Sequence, residues 1–121
     1  MNQEYNVLGG ILEKCSEKPL TGFFRDGHCS TNDADTGLHT VCCAVTDEFL
    51  DFTASRGNDL RTAIPEYGFK GLQAGDGWCL CAGRWLEAFK YGCAPRVNLA
   101  STHIKTLELI PLGILKENSN E

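Results

Sequence analysis

Long hydrophobic runs are missing from this chain: nothing approaches the roughly 20 consecutive apolar residues that cross a bilayer, so no membrane partner is expected. Positive charge is also scarce. Eleven Lys and Arg stand against sixteen Asp and Glu, a net charge of −5, and the cations are scattered singly rather than clustered. That distribution argues against nucleic acid as a partner, because neutralising phosphates takes grouped Lys and Arg. The opening Met1-Asn2-Gln3-Glu4-Tyr5 has neither the basic stretch nor the apolar stretch of a secretory signal, and the expected location is the cytoplasm. There is no internal repeat and no complete catalytic signature, so the sequence leaves open whether this is an enzyme.

What is present is an ordinary globular composition, 42% hydrophobic and 22% charged over 121 residues, enough for one hydrophobic core. A single domain spanning 1–121 is expected, with 115–121 as a frayed tail. The unusual residue is cysteine, at positions 15, 29, 42, 43, 79, 81 and 93. A cytosolic address makes structural disulfides unexpected. The alternatives are buried thiols packing as small hydrophobes, metal ligands, or reactive centres.

The run His39-Thr40-Val41-Cys42-Cys43-Ala44-Val45 is rich in β-branched and small apolar residues and predicts a strand. If that strand is regular, His39 and Cys42 point to opposite faces. Thr46 has the chemistry of a helix N-cap, with Asp47 and Glu48 suited to the positive end of the dipole and Val45 and Leu50 at staple positions, predicting a helix over 47–56 ended by Gly57. A second helix is predicted over 82–91 from Trp85, Leu86, Ala88 and Phe89 at helical spacing. Further strands are predicted near 77–81, 97–100 and 106–110, and a last short helix from Pro111 to Lys116. The fold class is therefore α+β, a small sheet covered by two main helices. The glycine- and aromatic-rich stretch 58–74 reads as a long irregular loop, either a plain cover for the core or a wall of a pocket.

The chemistry concentrates in Gly75-Asp76-Gly77-Trp78-Cys79-Leu80-Cys81-Ala82-Gly83-Arg84-Trp85. Three readings compete. In the first, Cys81 sits where a strand gives way to a helix, a position that favours a reactive thiolate, with Arg84 as electrostatic activator, Cys79 or Cys42 as resolving thiol and His39 as a further catalytic candidate. A direct Cys79–Cys81 disulfide would need a bend at Leu80. In the second, Cys29, Cys42, Cys79 and Cys81 hold zinc, with His28, His39 or His103 as further ligands; the Cys-x2-Cys spacing of zinc ribbons is absent. In the third, the thiols fill a dry core beside Trp78 and Trp85.

The runs Thr21-Gly22-Phe23-Phe24-Arg25-Asp26-Gly27-His28-Cys29, Gly37-Leu38-His39-Thr40-Val41-Cys42, Thr46-Asp47-Glu48-Phe49-Leu50, Gly57-Asn58-Asp59-Leu60 and Gly75-Asp76-Gly77-Trp78-Cys79-Leu80-Cys81, extended by Ala94-Pro95 and Thr102-His103, resemble a family of short, mostly bacterial proteins that form a domain of unknown function. The resemblance covers nearly the whole chain and implies no activity, substrate or cofactor. Cys29, Cys42, Cys79 and Cys81, with Arg25, Asp26, His39, Trp78, Arg84, Trp85 and His103, match its motif positions. Cys43 and Cys93 depart from its pattern and read as structural. The working expectation is a small binding module with a Cys/His-lined site, zinc being the metal its ligands would suit and its partner an unknown small molecule or protein. A thiol-dependent enzyme or redox protein, and an interaction protein with structural cysteines, are the alternatives.

Overall fold

The computed structural model describes residues 3–119. Its centre is β1, His39–Ala44, whose middle four residues are all buried. A strand covered on both faces must be apolar or small throughout, which is what Thr40-Val41-Cys42-Cys43 supplies. It pairs antiparallel with β2 (Gly77–Cys81) on one side and the short β3 (Arg96–Val97) on the other, giving the order β2-β1-β3. Side chains alternate across it. Val41, Cys43 and Leu80 enter the main core, while Cys42 and Cys79 belong to a second, smaller buried cluster with Cys29.

The main core is roofed by α1 (Asp47–Ser55) and α2 (Ala82–Lys90). Thr46 caps α1 as its residue type dictates, its hydroxyl accepting the amide of Phe49 at 3.0 Å, and Val45 and Leu50 are both buried beside it. Gly57 follows at φ +90°, a left-handed position where glycine costs least. In α2 the fully buried Trp85 donates its indole N–H to the carbonyl of Pro95 at 3.0 Å, so a large apolar side chain is buried without stranding its one polar atom. Among the described residues no helix is long and apolar enough to cross a membrane.

Residues 3–38 contribute no strand or helix beyond isolated bridges. They are held to the sheet covalently. Cys15 is joined to Cys42 on β1 and Cys29 to Cys79 on β2, with Cα separations of 5.7 and 5.2 Å. This corrects the expectation that the cysteines are unpaired. The separations along the chain are 27 and 50 residues, and chain entropy assigns cross-links of that reach about 3.6 and about 4.1 kcal/mol when each is taken alone.

Other corrections are local. The stretch expected as a strand at 106–110 is a 3-10 helix, Ile104–Glu108. Only Thr106 and Ile110 are buried there, a spacing of four rather than two, and the ring of His103 starts the turn by accepting the amide of Lys105 at 3.0 Å. The strand expected at 97–100 is confined to β3, after which Leu99–Ser101 turns as another 3-10 helix. The expected tail from 115 begins inside α3, Leu112–Glu117, with Leu115 fully buried; residues 120 and 121 lie outside the described residues. The 58–74 loop folds on itself through the Pro65–Tyr67 turn and an Ile64–Phe69 bridge, burying Phe69 and Leu72.

Two stability predictions follow from the cross-links and the core. Replacing Cys15 and Cys42 together by Ala lowers unfolding free energy in non-reducing urea titrations by about 3 to 4 kcal/mol, and the gap to the parent closes when reductant and chelator are added. Burial pushes the Cys43 thiol well up from its ordinary value, so above about pH 8.5 the unfolded chain loses a proton that the native chain keeps. The stability that Cys43 contributes is therefore complete below that pH and falls by up to about 1.4 kcal/mol per unit above it. Urea unfolding at pH 8 and pH 10 should show a smaller alkaline loss for Cys43→Ala than for the parent.

Candidate functional site

The cysteines sort by chemistry. Four are consumed in the two disulfides, leaving Cys43, Cys81 and Cys93 as thiols. Cys43 and Cys93 are buried, and both are pushed up, Cys43 by burial and Cys93 by burial and then by the nearby Glu48 carboxylate. A thiol held protonated and out of water is a poor nucleophile. Cys81 is left: it is the half-buried free thiol, at the last position of β2 and the N-cap of α2.

Opposite it stands His39. The pairing of β1 with β2 runs Cys42 to Cys79 and Val41 to Leu80, and then His39 to Cys81. Two residues of β1 are spent against one of β2, a bulge, and a bulge re-aims the side chain beyond it. His39, expected on the face away from Cys42, is thereby placed directly across from Cys81. Residues so opposed in an antiparallel pair share a face, with Cβ atoms about 4.5–5.5 Å apart.

The loop before β1 fixes the His39 ring. Asp35 is buried, and its carboxylate accepts from three donors: the His39 ring Nδ1 at 2.6 Å, the His39 amide at 2.9 Å and the Thr31 hydroxyl at 3.0 Å. With Nδ1 donating to Asp35, the neutral ring leaves Nε2 as its acceptor nitrogen. The Phe23 ring lies nearly parallel to the imidazole at 6.3 Å, and the His39 side chain is still 43% exposed. Leu38, just before it, adopts φ +48°, a conformation a bulky residue rarely takes. In that pose its carbonyl accepts the amides of both Thr40 and Ala82, at 2.8 and 2.9 Å, clasping the loop to the first residue of α2. A Cβ on Gly37 would sit 2.9 Å from His39 Cε1, so glycine is needed there to leave room for the ring.

The remaining expected residues go elsewhere. Arg84 donates to the Arg56 carbonyl at 3.0 Å and pairs with Glu87 at 3.4 Å, so its charge serves the end of α1 rather than Cys81. Cys79 and Cys42 are bonded to Cys29 and Cys15, which takes them out of the resolving role in this state. Of the four expected zinc ligands, Cys29, Cys42 and Cys79 come together, with Cys15 beside them where Cys81 was expected. His103 is buried between Lys105 and Glu4, and His28 lies by Asp26 in the 21–29 turn. The 58–74 loop does help wall a cleft of about 900 Å³, lined by Lys18, Leu20, Arg25, Tyr67, Lys70 and Asp76 among others. That cleft opens beside Asp76, before β2 begins, whereas Cys81 ends the strand. Some five residues of extended chain, about 16 Å, separate the two.

Neither Asp35 nor Cys15 stands out in the sequence as a site residue. The four-residue spacing of Asp35 and His39 was the available signal for the first. For Cys15, sequence held none.

No curated protein matches the chain. A family model does match, over residues 5–119, taking in the site residues and both disulfides; on that span the chain belongs to the DUF2237 family, uncharacterised proteins conserved in bacteria.

Proposed function

We propose that this domain is a thiol-dependent enzyme or redox protein in which Cys81 is the nucleophile, His39 its base and Asp35 the residue that orients the base. The observation that carries this reading is the placement of the half-buried thiol directly opposite a histidine whose other nitrogen is held by a buried carboxylate. A thiol, a base and an orienting acid in that order are the parts of nucleophilic catalysis at neutral pH. His39 Nε2 takes the proton from Cys81 Sγ as the sulfur attacks an electrophilic carbon or sulfur of the substrate. The leaving group then takes that proton back from the imidazolium, whose charge is balanced by Asp35. No side chain caps the start of α2; the Ala82 amide is taken by the Leu38 carbonyl, and the next amides of the first turn, those of Gly83 and Arg84, are the donors an oxyanion on an acyl substrate would use.

Iodoacetamide labelling of the folded protein at pH 7, mapped by peptide mass spectrometry, tests the assignment. Cys81 should be modified ahead of Cys43 and Cys93, at least about tenfold faster than in the urea-unfolded chain. His39→Gln removes that advantage and Asp35→Asn reduces it, while Arg84→Gln leaves it intact. A Cys81 that reacts at the unfolded rate, indifferent to His39→Gln, would refute the reading.

Gly37→Ala provides a test of positioning. The added methyl meets only the far end of the imidazole, so the ring must turn aside while the fold is retained. Cys81 labelling should slow by about tenfold or more with the thermal unfolding midpoint little changed.

A further inference from the structure

The two disulfides are not independent staples. Cys42 and Cys79 are cross-strand partners on β1 and β2, and their bonding partners reach them from two different loops. The sulfurs of Cys15, Cys29 and Cys79 all lie within 4.8 Å of one another, and that of Cys42 is bonded to Cys15. Cys29, Cys42 and Cys79 are almost fully buried, and Cys15 is packed against them. Four sulfurs gathered in one dry cluster, two from a sheet and two from loops, are the ligand set of a four-thiolate metal centre. A tetrahedral site with Zn–S bonds of about 2.3 Å spaces its sulfurs about 3.8 Å apart; the sulfurs of Cys15, Cys29 and Cys79 already lie within 4.8 Å of one another, and opening the S–S bond to Cys15 frees Cys42 Sγ to join them.

We propose that Cys15, Cys29, Cys42 and Cys79 form a redox-switched zinc site, closed as two disulfides when oxidised and as a zinc tetrathiolate when reduced. This goes beyond the chemistry of Cys81, which is not a ligand. Reduction by two equivalents of a dithiol delivers four electrons and four protons, opens both S–S bonds and leaves four thiols, while each dithiol becomes a disulfide. Zinc then displaces the four thiol protons. In the reverse direction two equivalents of peroxide take four electrons from the four thiolates, both S–S bonds re-form, Zn²⁺ leaves and four hydroxide ions are produced.

The fold supplies the reason for such an arrangement. Residues 3–38 have no regular element of their own, and these sulfurs are their covalent attachment to the sheet, beside hydrogen bonds such as that from the Cys79 amide to the Thr21 hydroxyl. In a reducing compartment disulfides open, and the N-terminal third would lose its covalent hold. A metal bound by the same four sulfurs restores the cross-links, and a structural zinc contributes its binding free energy to folding.

The test uses the full chain, reduced with a phosphine under argon, exchanged into zinc sulfate and examined by native mass spectrometry. One zinc per chain is expected, and Co²⁺ in its place should give the absorption of a tetrahedral four-thiolate centre. Cys81→Ser should bind zinc as the parent does, and Cys15→Ser should lose at least about tenfold in affinity. Peroxide should expel the metal, leaving a mass lower than the reduced apo-chain by four hydrogens. If Cys15→Ser fails to fold, the cobalt spectrum of the parent and its loss on peroxide treatment decide the matter. Reduced protein that takes up no metal, a cobalt spectrum with fewer than four sulfurs, or zinc retained after both disulfides have formed would each overturn the proposal.

Discussion

The register of β1 against β2 is the constraint on which the rest of the molecule depends. With Cys42 opposite Cys79, the two strands present adjacent sulfurs to one side and Val41 and Leu80 to the other. A slip of one residue would turn every one of these side chains to the wrong face. The main core would then receive sulfurs destined for cross-linking, and the loop cysteines would meet valine and leucine. The bulge between His39 and Val41 is compatible with this register because it falls at the end of the pairing, past the residues that must alternate. It changes the facing of one side chain, His39, and leaves the core side chains as they are.

The main core and the cysteine cluster divide the work of stability unequally. On the helix side, Trp85, Phe49 and Leu50 are fully buried, and each such side chain is worth roughly 1.5–3 kcal/mol of apolar burial. On the other side the chain through residue 38 is organised by polar contacts. The Asn6 side chain alone accepts the amides of Leu8 and Gly10 and donates to the carbonyls of Ile11 and Ala100. Such hydrogen bonds satisfy a buried backbone but contribute only about 1 kcal/mol each, too little to hold a long irregular segment against its conformational entropy. Cross-linking at the sulfurs adds to what those contacts supply.

What sequence could and could not reveal follows the same division. α1 and α2 were legible because a cap, a dipole pattern and a period of 3.6 are local facts, and β1 and β2 because β-branched and cysteine-rich runs between turns have few other homes. The sheet was overdrawn at 106–110, where Thr-Leu-Glu-Leu-Ile alternates in hydropathy but is capped into a 3-10 turn by His103, a tertiary choice that alternation does not encode. That Cys79, Cys81 and His39 lie on or beside paired strands was readable from their setting. The pairings were not: the bonds of Cys15 to Cys42 and Cys29 to Cys79, and the contact of Asp35 with His39, depend on the bulge, on the left-handed Leu38 and on the return of the N-terminal loops to the sheet.

Cys79 and Cys81 therefore stand two residues apart with different fates, and their proximity raises a physical problem. A free thiolate beside a disulfide exchanges with it unless it is kept from the line of the S–S bond. Burial provides that protection here. Cys29 and Cys79 are 0% and 2% exposed, so the sulfurs of their bond have little open surface for an attacking group, whereas Cys81 stands at the half-buried end of the strand. The extended backbone further separates the two Cα atoms by about 6.5 to 7 Å, near the limit for bonding without a bend. One strand can thus carry a closed sulfur and an open one side by side, the first fixed by packing and the second at its half-buried end.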